Sequence, residues 1–184
     1  MTPRIAPLAR TGNPPAVQEL IDPVTVGPAA NIFLTLANHP GLFRRWLPFG
    51  GKLLVGGKLP VRERELVVLR TARRCGSDYE WGQHVSMGRD AGLTDDEIRA
   101  VRQLDDDLGA GSWSDAERAV LRATDELVTD HRIADGTWQA LTADHDTEQL
   151  IELCMLAGHY AMLAGVLNSA GVEREEGVGG FETP

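Results

Sequence analysis

The chain has 184 residues, 42% of them apolar and 24% charged, which suits one globular domain with its own core. A formal net charge of −9 argues against nucleic-acid binding, because neutralising phosphates requires a basic surface. Two cysteines make no disulfide framework, no apolar run of signal-peptide type opens the sequence, and 18 uninterrupted apolar residues occur nowhere, so the expectation is a cytoplasmic protein with no membrane span.

In chain order, residues 1–28 read as an extended arm rich in proline (Pro14, Pro15, Pro23, Pro28), with one short helical turn at Val17–Ile21 and a surface suited to a neighbouring subunit. Residues 29–172 form the helical domain. Ala29 to Asn38 is a short apolar helix, stopped by Pro40, which leaves His39 in a loop. Leu42 to Val55 is a second helix, interrupted near Pro48 and Gly50. Its Phe43, Trp46, Leu47 and Phe49 either pack in the core or line a pocket.

The stretch Leu59 to Leu93 organises the rest as two helices and a tight corner. Pro60 suits a first helical turn, and Leu66, Val67, Val68 and Leu69 make that helix apolar almost all round, hence buried. Gly76 breaks it. Ser77 then caps a second helix that carries Tyr79, Trp81 and Val85 and stops at Gly92. Ser77, Glu80 and His84 are spaced i, i+3 and i+7 and share a face, while Glu65 lies among Val68, Leu69 and Ala72. Antiparallel packing across the corner brings Glu65 to the Glu80–His84 pair. The expectation is a Glu65/Glu80/His84 proton-transfer site, in which desolvation and a second carboxylate raise one Glu pKa and a charged Glu raises that of His84.

The same residues have plainer readings. Ser77-x-x-Glu80 is also a capping-box pattern, and Glu65 can serve the helix macrodipole with Arg62 at i−3. His84 can be a structural histidine. Cys75, beside Arg73 and Arg74, is either a thiol of lowered pKa or a small buried or idle one.

Thr94 to Glu97 is a second capping box, opening a helix through Ile98, Val101 and Leu104 that ends in the acidic run Asp105 to Asp107, read as a solvated face. Gly109, Gly111 and Ser112 form a connector. Ser114 to Glu117 caps the next helix, apolar at Val120, Leu121, Ala123, Leu127 and Val128 and ending near His131. A short helix follows at Thr137 to Ala143. The last, Thr147 to Ala170, is closed by Gly171 and is apolar on almost every side, which predicts a homo-oligomer. On it Glu152 and His159 share a face, and His159 and Tyr160 are placed to close the pocket from the opposite side. The charged, glycine-rich tail 173–184 reads as mobile.

The phrases RERELVVLRTA, YEWGQH and AGLTDDEI resemble the core motif of the carboxymuconolactone decarboxylase family over roughly Asn38 to Asp105. Its members share the alkylhydroperoxidase D-like helical fold, so the resemblance implies an all-α bundle of about seven to eight helices with no sheet. In the alkylhydroperoxidase D branch a Glu precedes a Cys-x-x-Cys-x-x-x-His motif. Glu65 matches that Glu and His84 that His, but the two cysteine positions fall on Ser77 and Glu80, and disulfide relay chemistry needs sulfur there.

The resemblance therefore implies the decarboxylase branch: a cofactor-free enzyme acting on a small anionic substrate, a carboxylated lactone or enol. His84 would act as acid or base, Glu80 would orient it, and Glu65 would tune both. Ser77, Cys75, Tyr79, Trp81 and His159 would surround the pocket, and Arg62, Arg70, Arg73 and Arg74 are the cations available to the substrate. A dimer, trimer or hexamer is expected, with no nucleic-acid or membrane partner. The alternatives are a thiol antioxidant of peroxiredoxin type using Cys75, a metal site, and a helical scaffold. For metal, Glu80 and His84 stand at i, i+4 with no second copy, unlike the Glu-x-x-His pairs of di-iron bundles, so no metal is expected.

Overall fold

The computed structural model describes residues 2–25, 31–104 and 113–182, and among these it is all helical. The elements are α1 (Pro15–Ile21), a 3-10 turn (Asp22–Val24), α2 (Asn31–Leu36), α3 (Pro40–Val55), α4 (Val61–Arg74), α5 (Asp78–Asp90), α6 (Asp95–Arg102), α7 (Asp115–Asp130), α8 (Asp135–Leu141) and α9 (Thr147–Ala170). These nine α-helices exceed the expected seven to eight because the turn read at Val17–Ile21 is a full short helix. The expected start of a helix at Ala29, the acidic run Asp105 to Asp107 and the connector Gly109 to Ser112 lie outside the described residues.

Helix α4 is the hub. Leu66, Val67, Val68, Leu69 and Ala72 have no exposed surface. Val67 and Val68 pack with Val120 and Ala123 of α7 and with Leu153, Leu156 and Ala157 of α9. Leu66, Leu69 and Ala72 pack with Trp81 and Val85 of α5 and Ile98 and Val101 of α6. Each of these Leu, Val and Ile side chains contributes roughly 1.5–3 kcal/mol by leaving water. At the corner Gly76 adopts φ +63°, and Ser77 N–H donates to Ala72 C=O at 2.8 Å, so the αL glycine turns the chain straight into α5.

The capping boxes at Thr94/Glu97 and Ser114/Glu117 form as the sequence predicts, and Asp146/Gln149 adds a third at α9. Other elements differ. Helix α3 runs unbroken through Pro48; the lost hydrogen bond is outweighed by packing of Phe43, Trp46 and Leu47 against Ile21 and Leu34. His39 caps it, accepting at Nδ1 from Leu42 N–H at 3.2 Å. Helix α6 stops at Arg102 rather than Leu104, and α8 runs from Asp135, the residue that signals its start in the sequence, to Leu141 rather than Ala143.

The N-terminal arm lies on its own chain: Arg4 N–H donates to Ala170 C=O at 2.8 Å and Leu8 N–H to Leu34 C=O at 3.1 Å. Where the sequence predicts a mobile tail, residues 173–182 lie against α5. Asp78 accepts from Phe181 N–H at 2.7 Å and pairs with Arg174 at 2.8 Å, and the Phe181 ring sits 5.4 Å from that of Trp81. Gly82 is needed there, since a β-carbon would fall 2.2 Å from Gly179 C=O.

Helix α9 buries one face and presents Ile151, Met155, Met162 and Val166 on another, with Gly158 and Gly165 between them. It is long and apolar enough to cross a membrane by length and composition, with half of that stretch buried in the bundle. Glu152, on the same predicted face as His159, caps the α3–α4 connection by accepting from Lys58 N–H at 2.7 Å and Leu59 N–H at 3.1 Å. A β-carbon at Gly57 would strike its carboxylate at 2.1 Å.

The four candidate arginines are structural. Arg70, with no exposed surface, and Arg74 both grip Asp125 at 2.6 Å, and Arg70 also donates to the carbonyls of Val101 and Gln103. Arg62 pairs with Glu97 and Glu117, and Arg73 donates to Arg102 C=O while lying over Phe181. Removing one partner strands the rest, so Asp125→Ala should cost about 3–5 kcal/mol in urea unfolding. A loss under about 1 kcal/mol would contradict this role.

Candidate functional site

Helices α2, α3, α5 and α9 enclose a cavity of about 490 Å³, lined in part by Trp46, Tyr79, Glu80, His84, His159 and Tyr160. Its walls are otherwise almost wholly apolar, and among the described lining residues there is no lysine or arginine.

Across the α4–α5 corner, Glu65 Oε2 lies 2.7 Å from His84 Nδ1. Arg64, its neighbour in sequence, donates to Oε1 at 2.8 Å. Burial of Glu65 would raise its pKa, but the hydrogen bonds and charges of His84 and Arg64 prevail and hold it below the usual carboxylate range. An ionised Glu65 needs the hydrogen on His84 Nδ1, which leaves Nε2 for other chemistry. Tyr160 packs its ring edge-on to His84, centroids 5.1 Å apart, and so holds the imidazole from the α9 side.

Glu80 has the opposite surroundings. It is 2% exposed, and neither carboxylate oxygen has a hydrogen-bond partner. Burial pushes its carboxyl up to about 8; the Ser77 hydroxyl is near enough to oppose this in part but makes no well-formed hydrogen bond to it. The capping box at this point does not form. Ser77 makes no side-chain cap bond because its backbone is committed to the Schellman turn, and Glu80 is left to the cavity.

His159 stacks on Trp46 at 5.9 Å, with Phe49 and Tyr160 edge-on at 5.3 Å each. Its Nδ1 is buried without a partner, and burial lowers its pKa, so the ring is neutral. Tyr79 lines the cavity; its hydroxyl donates to Glu175 at 2.8 Å and accepts from Ile32 N–H at 3.2 Å, and burial and the Glu175 charge raise its pKa. Glu175 also accepts from Gln83 Nε2 and Asn31 N–H, so the tail ties α2 to α5 across the cavity wall.

Three expected neighbours do not line the cavity: Ser77, buried at the turn, and two that lie elsewhere. Trp81 is buried in the core beside Leu66 and Leu69, off the cavity. Cys75 ends α4 outside the cavity, and burial, then the charge of Glu80, raises its thiol pKa, the reverse of what Arg73 and Arg74 suggested, since both guanidinium groups point at other partners. Burial raises Cys154 likewise. No three His, Cys, Asp or Glu side chains converge as metal ligands among the described residues. Arg64 escapes sequence reasoning because side chains at i and i+1 ordinarily point apart. Gly50 and Gly51 escape it too, since a small residue gives no sign that it borders a space.

Residues 40–126 match the Carboxymuconolactone decarboxylase family. Over that stretch, 87 of the 184 residues, the chain is similar to this family, and the resemblance puts Ser77 and Glu80 where its peroxidase branch has cysteines. No curated protein matches its sequence. Among solved structures it resembles an alkylhydroperoxidase AhpD core, an uncharacterized peroxidase-related protein from Ralstonia eutropha JMP134, with TM-score 0.77 at 19% identity over 94% of this chain and 93% of that one. A peroxidase-related protein from Silicibacter sp. TM1040 gives 0.78 at 12% over 96% of both chains. The debrominase Bmp8, as a cysteine-to-alanine variant in complex with 2,3,4-tribromopyrrole, gives 0.73 at 15% over 96% of this chain and 94% of that one. At such identities the likeness is one of fold.

Because Glu80 holds its proton in the folded state up to about 8, while an exposed Glu loses it near 4.5, the folded state binds the extra proton between those values. Stability conferred by the neutral form is therefore present at low pH and is lost as pH rises through that window. Glu80→Gln should remove this slope and gain roughly 1–4 kcal/mol relative to wild type above about pH 8, read by denaturant unfolding. Parallel wild-type and variant pH profiles would contradict it.

Proposed function

We propose that the protein is a cofactor-free acid–base enzyme that transfers protons to and from carbon in a small enol, lactone or ketone held in the cavity. The observation that carries this is the partnerless Glu80 carboxyl in the same apolar cavity as His84, whose Nδ1 is committed to Glu65. The pair divides the labour: a neutral carboxyl that can donate, and an imidazole whose free Nε2 can accept.

In enolisation, His84 Nε2 takes the proton from carbon while the Glu80 O–H holds the carbonyl oxygen and meets the charge that develops there. Decarboxylation, the reaction implied by the family, would use the same Glu80 proton on the carbon that CO2 leaves, but it needs a carboxylate in a cavity without a lysine or arginine among its described lining residues, so enolisation is the reaction this site favours. The thiol alternative loses support, since both sulfurs resist ionisation.

Two substrates test this: γ-carboxymuconolactone, followed by ultraviolet loss and CO2 release, and 2-tetralone, followed by NMR for exchange of its α-hydrogens in D2O. Wild-type protein should turn over one or both, with Glu80→Gln and His84→Ala each slower by about 100-fold or more. The rate should fall as pH rises through about 8, where Glu80 gives up its proton. No turnover of either, or turnover that survives both substitutions, would end this reading.

The exposed Ile151, Met155 and Met162 stripe of α9 supports pairing with a second copy of the chain. Size-exclusion chromatography with light scattering should show a species larger than the 20.0 kDa protomer. A monomer at all concentrations would contradict it.

A further inference from the structure

The cavity's chemistry restricts what enters it. The anionic substrate implied by the resemblance would need a cation, and the four arginines available for it are all held by Asp125, Glu97, Glu117, backbone carbonyls or Phe181, away from the cavity. Arg64, beside Glu65 in sequence, is spent on that carboxylate. A carboxylate inside would be desolvated with no counter-ion, beside a Glu80 carboxyl that could only add like charge on ionising. What the walls offer is aromatic surface from Trp46, Tyr79 and the neutral ring of His159, together with three residues whose buried polar atoms lack partners: Glu80, His159 at Nδ1 and Trp46 at Nε1. A site of this composition matches one polar group on an apolar body.

Helix α3 contributes the space. A β-carbon at Gly50 would press on the Trp46 ring at 3.3 Å and approach His159 Nε2 at 3.5 Å, so this glycine lets the Trp46–His159 stack form. Gly51 also borders the cavity, but a β-carbon there meets no atom within 4 Å. A glycine in mid-helix costs about 1 kcal/mol relative to alanine, and here no close contact requires it.

Resting on the acid–base reading above, we propose that the cavity binds an uncharged, mostly apolar ring compound bearing a single enol, phenol or carbonyl oxygen. That oxygen is placed at Glu80, and Gly51 sets how large a ring system is admitted. The ring lies against the Trp46–His159 wall, and a carboxylate of the same shape is rejected.

The test is calorimetric titration of the full-length protein at about pH 6.5 with 2-naphthol and with 2-naphthoate, which differ in charge on the same ring. Naphthol should bind at least about tenfold more tightly. Gly51→Leu should weaken naphthol binding by about tenfold or more while helical circular dichroism is unchanged, and Gly51→Ala should weaken it less. Equal or tighter binding of naphthoate, binding of neither, or indifference to Gly51→Leu in a folded variant would overturn the proposal; the wild-type comparison decides even if Gly51→Leu fails to fold. Binding is read without turnover. Naphthol binding without proton exchange would therefore sink the acid–base reading alone, and naphthoate preference in a protein that decarboxylates the lactone would sink this inference alone.

Discussion

A charged carboxylate with no exposed surface sits on the most deeply buried helix, and the site depends on how it is satisfied. Glu65 is kept ionised by Arg64 on one oxygen and His84 on the other. Leaving a charge of this kind unpaired would cost several kcal/mol, so α5 must dock with His84 at hydrogen-bond distance. The tight turn at Gly76 makes that docking possible, because it reverses the chain within a few residues. The same bond fixes the imidazole's tautomer. Burial, turn and protonation state are thus one constraint seen at three levels.

Glu80 is the counterpart. One turn before His84, it has no arginine, no imidazole and no backbone donor. Two residues of one type, at opposite sides of one corner, end with pKa values pushed in opposite directions: Glu65 down by its partners, Glu80 up by its lack of them. Glu80 can then donate a proton at a pH where ionised Glu65 holds the His84 tautomer whose Nε2 accepts one. The protein surrounds them with apolar walls, where neither charge nor proton is easily exchanged with water.

Much of this was legible in the sequence where the signal is local. The helix stops at Gly76, Gly92 and Gly171 lie at positive φ, two of the predicted capping boxes form, and the spacing of Glu80 and His84 predicted a shared face. Local rules fail where tertiary contacts decide. Ser77 and Glu80 carry the same pattern as Thr94 and Glu97, yet only the latter cap each other, because Ser77 is drawn into the turn and Glu80 borders the cavity. Pro48 does not break α3, since aromatic packing outweighs one missing hydrogen bond. The arginines read as substrate ligands find Asp125, Glu97 and Glu117 far along the chain, and no spacing rule records such pairs.

The central claim is that Glu80 is neutral near physiological pH while Glu65 is not. Infrared difference spectra between wild type and Glu80→Gln, recorded from about pH 5 to about pH 9, report it directly through the carbonyl stretch of a protonated carboxyl. The account predicts that band at about pH 7, disappearing with a midpoint near 8 and absent from the variant. A Glu80 carboxylate already ionised at pH 6 would contradict it.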